Sequence, residues 1–161
     1  RQHNPKLNEK VRKFEKEFKK QFNRLEKLSL EQLSIAEALF EEFDYAPLDY
    51  GMLAVIYGKV IEIELQKLLK RKGYTHTVRI SQGKTIREKI NWSRGLKIAE
   101  CRDLLINDPV EELEDIDKMI EVVRKARNNS AHTGGCTLET ISNIRNYLYE
   151  QNWLNRLNSQ L

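Results

Sequence analysis

The chain has 161 residues, of which 40% are hydrophobic and 32% charged, and its formal net charge is +4. This length is typical of one domain and suffices to bury a hydrophobic core. With seven Gly and three Pro, the composition argues against an all-β or a disordered chain. Neither a signal-peptide pattern nor an apolar run near the roughly 20 residues that span a bilayer is visible in the sequence, so we expect a cytoplasmic protein without a membrane partner. Because the first residue is Arg1 rather than Met, we also expect further protein on its N-terminal side.

Charge is distributed unevenly along the chain. Residues 67–97 contain ten Lys or Arg against one Glu, whereas residues 108–117 contain six acids and no base. A local positive excess of this size attracts a polyanion, although a solvated basic surface gives the same pattern. The two cysteines, Cys101 and Cys136, form no CxxC pair and have no nearby His at metal-ligand spacing, so we interpret them as reduced thiols.

The first part of the chain has apolar residues at helical spacing. Those between Val11 and Leu28 recur at steps of three and four and predict one amphipathic helix, which we interpret as a linker or a dimer arm. Ser29 followed by Gln32 is typical of a capping box and predicts that a second helix begins there.

A third helix is predicted from Tyr50 to Lys72, with Asp49 as its cap. Its first half is apolar on all sides, which is typical of a helix buried at the centre of a bundle. Residues 74–84 have no helical period. Residues 75–80 could form a short extended piece, but one isolated strand cannot make a sheet, so we interpret the segment as a loop. A further capping pattern at Thr85 predicts a short helix that ends at Ile90.

The remaining sequence predicts three more helices and a terminal turn. One helix covers about 96–106, and a second begins at Asp108-Pro109 and runs into Arg127. Thr137 caps the last long helix, and Trp153 begins a turn that packs back on the bundle.

These elements predict an all-α fold, an up-and-down bundle of about six or seven helices. We divide it into an N-terminal amphipathic helix, residues 1–28, and a helical domain, residues 29–161.

Three residues near the end of one predicted helix carry the chemistry. His132 has a side chain that titrates near neutral pH, Arg127 offers a planar set of donors that fits a phosphate, and Asn128 offers an orienting amide. If the helix continues, Asn128 and His132 share a face, whereas Arg127 and His132 lie about 140° apart around the axis. Arg127 then reaches His132 through its long side chain, through a change of backbone, or across a subunit interface. Capping of the helix by His132 is the structural alternative.

The segment resembles the Arg-x(4–6)-His motif of the HEPN superfamily, in which Asn often follows the Arg directly. Its context agrees, because an apolar helix leads in, Ala131 precedes the His, and a small-residue turn follows. The central helix, with Glu62 and Glu64 in an apolar frame, also resembles that family's core helix. The similarity covers roughly residues 30–157, by pattern rather than by identity.

The resemblance implies a symmetric homodimer whose two motifs face each other. It also implies a metal-independent, cofactor-free endoribonuclease of the toxin–antitoxin or antiviral-defence type. Arg127 would bind the scissile phosphate, His132 would transfer a proton, and Asn128 would support the geometry. The 2′-hydroxyl would attack in line and leave a 2′,3′-cyclic phosphate, so DNA would not be cut. An antitoxin partner or an N-terminal region would control the activity.

Other residues are accessory candidates. Glu62 or Glu64 is a candidate to reach the site, the alternative being an exposed or salt-bridged acid. His76, in the basic loop, is a candidate RNA contact, the alternative being a simple surface histidine.

The basic segment supplies the candidate substrate-binding residues, and its aromatic residues could stack bases beside them, although core packing is the alternative for Trp92. The candidates are Lys84, Arg87, Lys89 and Arg94, with Lys97 in the same basic track and with Tyr74 and Trp92 as the aromatic residues.

Two other classes of function remain open. One is a non-catalytic dimerisation or nucleotide-binding module in which Arg127 contacts a nucleotide without cutting it. The other is a helical scaffold that docks through a stripe of phenylalanines: Phe14, Phe18 and Phe22.

Overall fold

The computed structural model describes residues 5–22, 24–43, 49–107, 116–131 and 135–159. These residues form seven α-helices, a π-helical turn and one β-hairpin, so the protein is an all-α helical bundle with a small two-stranded addition. No helix in these ranges is long and apolar enough to cross a bilayer. The elements are α1 (Pro5–Gln21), α2 (Lys27–Phe43), α3 (Gly51–Arg71), β1 (His76–Ser81), β2 (Lys84–Lys89), α4 (Ile98–Asn107), α5 (Ile116–Ala131), α6 (Leu138–Arg145), the π-helical turn (Asn146–Glu150) and α7 (Trp153–Ser159).

Helix α3 is the centre of the bundle, as its all-round apolar pattern predicts. It packs against α2, α4, α5, α6 and α7. Leu53, Ile61 and Leu65 are completely buried, which removes their apolar surface from water and stabilises the fold.

Polar side chains of α3 connect it to its neighbours. Tyr57 Oη lies 2.9 Å from Nη1 of Arg145 on α6, and Arg145 also donates to both carboxylate oxygens of Glu37 on α2. Burial raises the pKa of Tyr57 to about 12, although the nearby Arg145 acts in the opposite direction. On α3, Gln66 donates to the Leu96 carbonyl and accepts from the Leu96 N–H.

The first amphipathic helix ends earlier than the apolar spacing predicts. Helix α1 stops at Gln21, and Arg24 then adopts a left-handed backbone conformation (φ 67°) that reverses the chain. Leu28 therefore belongs to α2, and the prediction of one helix from Val11 to Leu28 is wrong. The predicted domain boundary after residue 28 falls inside α2.

The phenylalanine stripe of α1 faces the interior. Phe14, Phe18 and Phe22 are at most 7% exposed, and the Phe18 ring stacks on Tyr149 with the ring centroids 5.5 Å apart. Because these rings are part of the core, the hypothesis of a scaffold that docks through them is wrong.

Ser29 does not cap α2, because that helix already begins at Lys27. Ser29 is buried in the first turn, where its Oγ donates to Glu64 Oε2 at 2.9 Å. Glu64 is completely buried and also accepts from Lys67 Nζ at 2.8 Å, while Lys67 donates to the carbonyl of Arg24. This buried ion pair joins α3 to α2 and to the turn before it.

Residues 76–89 form a β-hairpin, so the predicted loop and the predicted short helix from Thr85 are both wrong. Ser81 pairs with Lys84, and the two loop residues, Gln82 and Gly83, have φ angles of 52° and 73°. Positive φ at both positions is the type I′ geometry that matches the twist of a hairpin. Thr85 pairs across the strands and does not begin a helix.

The later helices follow the sequence more closely. Thr137 Oγ1 accepts from the Thr140 N–H at 3.2 Å, which confirms the predicted cap of α6. Trp153 is completely buried, so the terminal segment does pack back on the bundle. The predicted helix start at Asp108-Pro109 lies outside the described residues.

We expect the Glu64–Lys67 pair to be essential for stability. Lys67→Met would leave a buried carboxylate without its cation and lower the free energy of unfolding by about 3–5 kcal/mol. Lys59→Met, on the exposed side of the same helix, should change it by less than about 0.5 kcal/mol. Urea denaturation followed by circular dichroism measures both, and equal stability of the two variants would contradict this prediction.

Both cysteines should be unreactive in the folded protein. Burial raises the pKa of Cys101 to about 12 and also raises the pKa of Cys136. At pH 8 both thiols are therefore protonated, and the thiolate is the reactive form. A chromogenic disulfide reagent should label the folded chain slowly and the urea-unfolded chain rapidly; fast labelling of either cysteine in folded Cys101→Ser or Cys136→Ser would refute this.

Candidate active site

Arg127, near the end of α5, lies against the central helix. Its Nη1 donates to Glu62 Oε2 at 2.7 Å. Its aliphatic part passes over Gly58, where an added Cβ would lie 3.1 Å from Arg127 Cδ. Since Gly58 and Glu62 are four residues apart, they share one face of α3. That face provides space for the arginine's methylene groups and a carboxylate for its guanidinium.

A cavity of about 400 Å³ opens beside this ion pair. A volume of this order fits a small ligand such as a nucleotide. Three cations and one carboxylate line it, so the local charge is positive. The lining residues are Glu62, Lys97, Ile98, Ala99, Arg124, Arg127 and Asn128.

The three cations of the cavity differ in their availability to an anion. Both carboxylate oxygens of Glu121 accept from Arg124 at 3.0 Å, which lowers the pKa of Glu121 and raises that of Arg124. Arg127 is also paired, but only one of its nitrogens donates to Glu62, whereas two nitrogens of Arg124 donate to Glu121, and a guanidinium carries five N–H donors. Lys97 is exposed. An anion in the cavity would therefore meet Arg127 and Lys97 first.

Asn128 is exposed and lines the same cavity, so the structure brings Arg127, Asn128 and Glu62 together as predicted candidates. His132 lies outside the described residues, and its distance from Arg127 stays a prediction.

Asp49 holds the segment of Gly135 and Cys136 that precedes α6. The N–H of Cys136 donates to Asp49 Oδ1 at 2.7 Å, and the N–H of Gly51 donates to the same oxygen at 2.9 Å. Asp49 thus accepts from the first residue of α3 and from the segment before α6, but the N-cap of α3 is Tyr50, so the prediction of Asp49 as its cap is wrong. Gly135 approaches this carboxylate with a φ of 65°, and an added Cβ would lie only 3.2 Å from Asp49 Oδ1.

Glu64 and His76 are not part of this cavity. Glu64 belongs to the buried contacts with α2 described above, and it also accepts from Asn158 on α7 at 3.4 Å, so only Glu62 of the two predicted carboxylates reaches Arg127. His76 begins β1, and its Nδ1 lies 2.8 Å from Thr75 Oγ1.

The predicted substrate-binding residues are spread along the hairpin and the loop that follows, and none of them lines the cavity. Lys84 begins β2 at the hairpin loop, Arg87 and Lys89 lie further along that strand, and Arg94 follows it; all four are exposed. Trp92 and Tyr74 are half-buried against the core, which favours the packing interpretation for both rings.

Sequence reasoning missed Gly58 and Arg124, and it placed Lys97 in the basic track with the hairpin residues rather than beside Arg127. An isolated glycine inside a helical pattern usually has a packing reason, and Gly58 stands one turn before Glu62, so its position was a usable signal. Lys97 and Arg124 carry no such signal, because they reach the cavity only through the packing of α4 and α5 on α3.

Within the described ranges, no group of three or more His, Cys, Asp or Glu side chains is placed to hold a metal ion. Comparisons of the chain with protein-family models, with curated proteins and with solved structures found no match.

Proposed function

We propose that the protein is an endoribonuclease of the HEPN kind that cuts RNA with Arg127, Asn128 and His132. The observation that supports this most is the exposed edge of the Arg127 guanidinium, held by Glu62 beside a positively charged cavity. A guanidinium in a fixed position suits a phosphate, because it can donate two parallel hydrogen bonds and stabilise the charge that develops on the oxygens.

In this proposal each residue has one role. Arg127 donates to the non-bridging oxygens of the scissile phosphate, while Glu62 fixes its orientation and occupies only one of its nitrogens. Asn128, exposed at the cavity, orients the substrate. His132 transfers a proton, from the attacking 2′-hydroxyl or to the leaving 5′-oxygen. The 2′-oxygen bonds to phosphorus as the bond to the 5′-oxygen breaks, which gives a 2′,3′-cyclic phosphate and a 5′-hydroxyl.

A homodimer is part of the proposal. If α5 continues through position 132, Arg127 and His132 point in directions about 140° apart. A second subunit would bring the His132 of one chain towards the Arg127 of the other. Control by an antitoxin or by an N-terminal region would act on this assembly.

The size of the cavity also favours a second candidate, a module that binds a nucleotide without cutting RNA. It predicts that Arg127→Ala abolishes nucleotide binding whereas His132→Ala leaves it unchanged. Isothermal titration with nucleoside mono- and diphosphates distinguishes the two candidates.

The test of the nuclease proposal uses the chain in EDTA with a labelled RNA and the same sequence as DNA. Arg127→Ala and His132→Ala should each lower the rate of RNA cleavage by about 100-fold or more. Glu62→Gln should lower it by about 10-fold, because Arg127 keeps its charge but loses its fixed position. Lys125→Ala, an exposed charge deletion on the same helix, should leave the rate within about 2-fold.

Mass spectrometry of the products should find the 2′,3′-cyclic phosphate, and the DNA should stay intact. Absence of cleavage by the dimeric protein, or equal rates for Arg127→Ala and Lys125→Ala, would rule the proposal out.

A further inference from the structure

The β-hairpin has two faces of different character. Residues paired directly across an antiparallel ladder project to the same side, so the register assigns each residue to a face. The six residues of the outer face are all exposed except the half-buried His76, whereas the inner face includes three half-buried residues. The outer face comprises His76, Val78, Ile80, Thr85, Arg87 and Lys89, and the inner face Thr77, Arg79, Ser81, Lys84, Ile86 and Glu88.

The outer face exposes aliphatic side chains that a sheet normally buries. Ile80 is 78% exposed and Val78 is 47% exposed. In a hairpin with one solvated face, apolar residues usually point inwards and polar residues outwards. Here the inner face carries a polar ion pair, Arg79 with Glu88 at 3.1 Å, whose side chains are themselves 66% and 61% exposed, so the register does not turn those two aliphatic residues inwards. Adjacent exposed aliphatic residues on a sheet mark an interaction surface.

The charges of the outer face define the partner. Arg87 and Lys89 lie there, and the single acid of the hairpin is on the inner face, paired with Arg79. A second copy that docked through the same face would bring like charges together, which disfavours self-association. The partner is therefore anionic and also offers apolar surface.

The outer-face cations of the hairpin, Arg87 and Lys89, are followed along the chain by further cations that lead to the cavity beside Arg127. After β2 the chain passes Arg94 and reaches Lys97, which lines that cavity, and β1 packs against α4, whose first residues line it too. A polyanion that occupies the cavity would meet further cations on its way towards the hairpin. This continuity favours a nucleic acid strand over an anionic lipid surface or an acidic protein.

We propose that the outer face of the hairpin binds single-stranded RNA, with Arg87 and Lys89 on phosphates and Val78 and Ile80 against base faces. A single strand fits because its unstacked bases expose apolar faces, which a duplex keeps stacked inside. The path of the RNA from the cavity to the hairpin rests on the proposed function of the cavity. Binding of RNA to the hairpin does not itself require cleavage.

The experiment measures binding of the full chain to a fluorescent 2′-O-methyl oligonucleotide, which cannot be cut because its 2′-oxygens are blocked. Fluorescence anisotropy gives Kd at several salt concentrations. Arg87→Gln/Lys89→Gln should weaken binding by about 10-fold or more at about 0.1 M salt and reduce the slope of log Kd against log salt by about 1.4, since each single-strand phosphate contact contributes about 0.7.

Two single variants separate the parts of the surface. Ile80→Thr keeps a β-branched side chain and should weaken binding by about 3-fold or more with an unchanged salt slope, because no charge is lost. Arg79→Gln removes one positive charge from the inner face of the same hairpin, and it should change Kd by less than about 2-fold. Circular dichroism checks that each variant is folded.

Equal effects of Arg79→Gln and Arg87→Gln would overturn the inference, because binding would then follow net charge alone. Hairpin variants that bind the oligonucleotide as tightly as the native chain would also overturn it, as would binding of vesicles that contain phosphatidylserine but not of the oligonucleotide. A chain that binds through the hairpin yet cuts no RNA contradicts only the proposed function. Normal cleavage with undisturbed binding in Arg87→Gln/Lys89→Gln contradicts only the hairpin.

Discussion

A helix that is buried over most of its surface has to satisfy the polar side chains that it buries, and three such side chains of α3 each engage a different neighbour. Tyr57 contacts Arg145 of α6, Glu62 contacts Arg127 of α5, and Glu64 contacts Ser29 of α2. Leaving any of these groups buried without its partner would be unfavourable by roughly 1–3 kcal/mol, and more for a charge. The polar residues of α3 therefore determine where its neighbours can pack.

The same requirement explains why Arg127 is held at the cavity and not free in solvent. Glu62 is only 22% exposed at its side chain and needs a donor, and α5 supplies one from its last turns. The ion pair is partly solvated, so its contribution to stability is modest. Its importance is geometric, since it restricts a long, flexible side chain to one orientation. The hypothesis that Arg127 binds phosphate depends on that restriction more than on the charge itself.

The sequence predicted the fold class and the central helix. A long helical segment whose first half is apolar on all sides has few interpretations other than a helix at the centre of a bundle. The prediction failed where a capping pattern coincided with the start of a different element. The Ser29 signal concealed a turn at Arg24 and a helix that begins at Lys27, and the capping pattern at Thr85 concealed a strand. An extended piece over residues 75–80 was considered, but the two-residue loop ending in glycine that follows it, which signals a hairpin, was missed.

The choice between Glu62 and Glu64 could not be made from the sequence. The two residues lie on nearly opposite sides of the helix, and both have apolar neighbours in the chain. Only the positions of α5 and α2 around α3 decide which carboxylate meets Arg127 and which meets Ser29. Those positions depend on long-range packing, which a local pattern does not contain.

Gly58, which lies beneath Arg127, limits which substitutions evolution can accept in α3. In the middle of a helix, glycine is less favourable than alanine by about 1 kcal/mol, because the unfolded chain loses more freedom. Alanine at position 58 would recover part of that energy but would bring its Cβ to within 3.1 Å of the Arg127 side chain. Selection for thermal stability alone would therefore favour a substitution that displaces the arginine. At position 58, therefore, a more stable helix and the observed position of the Arg127 side chain exclude each other.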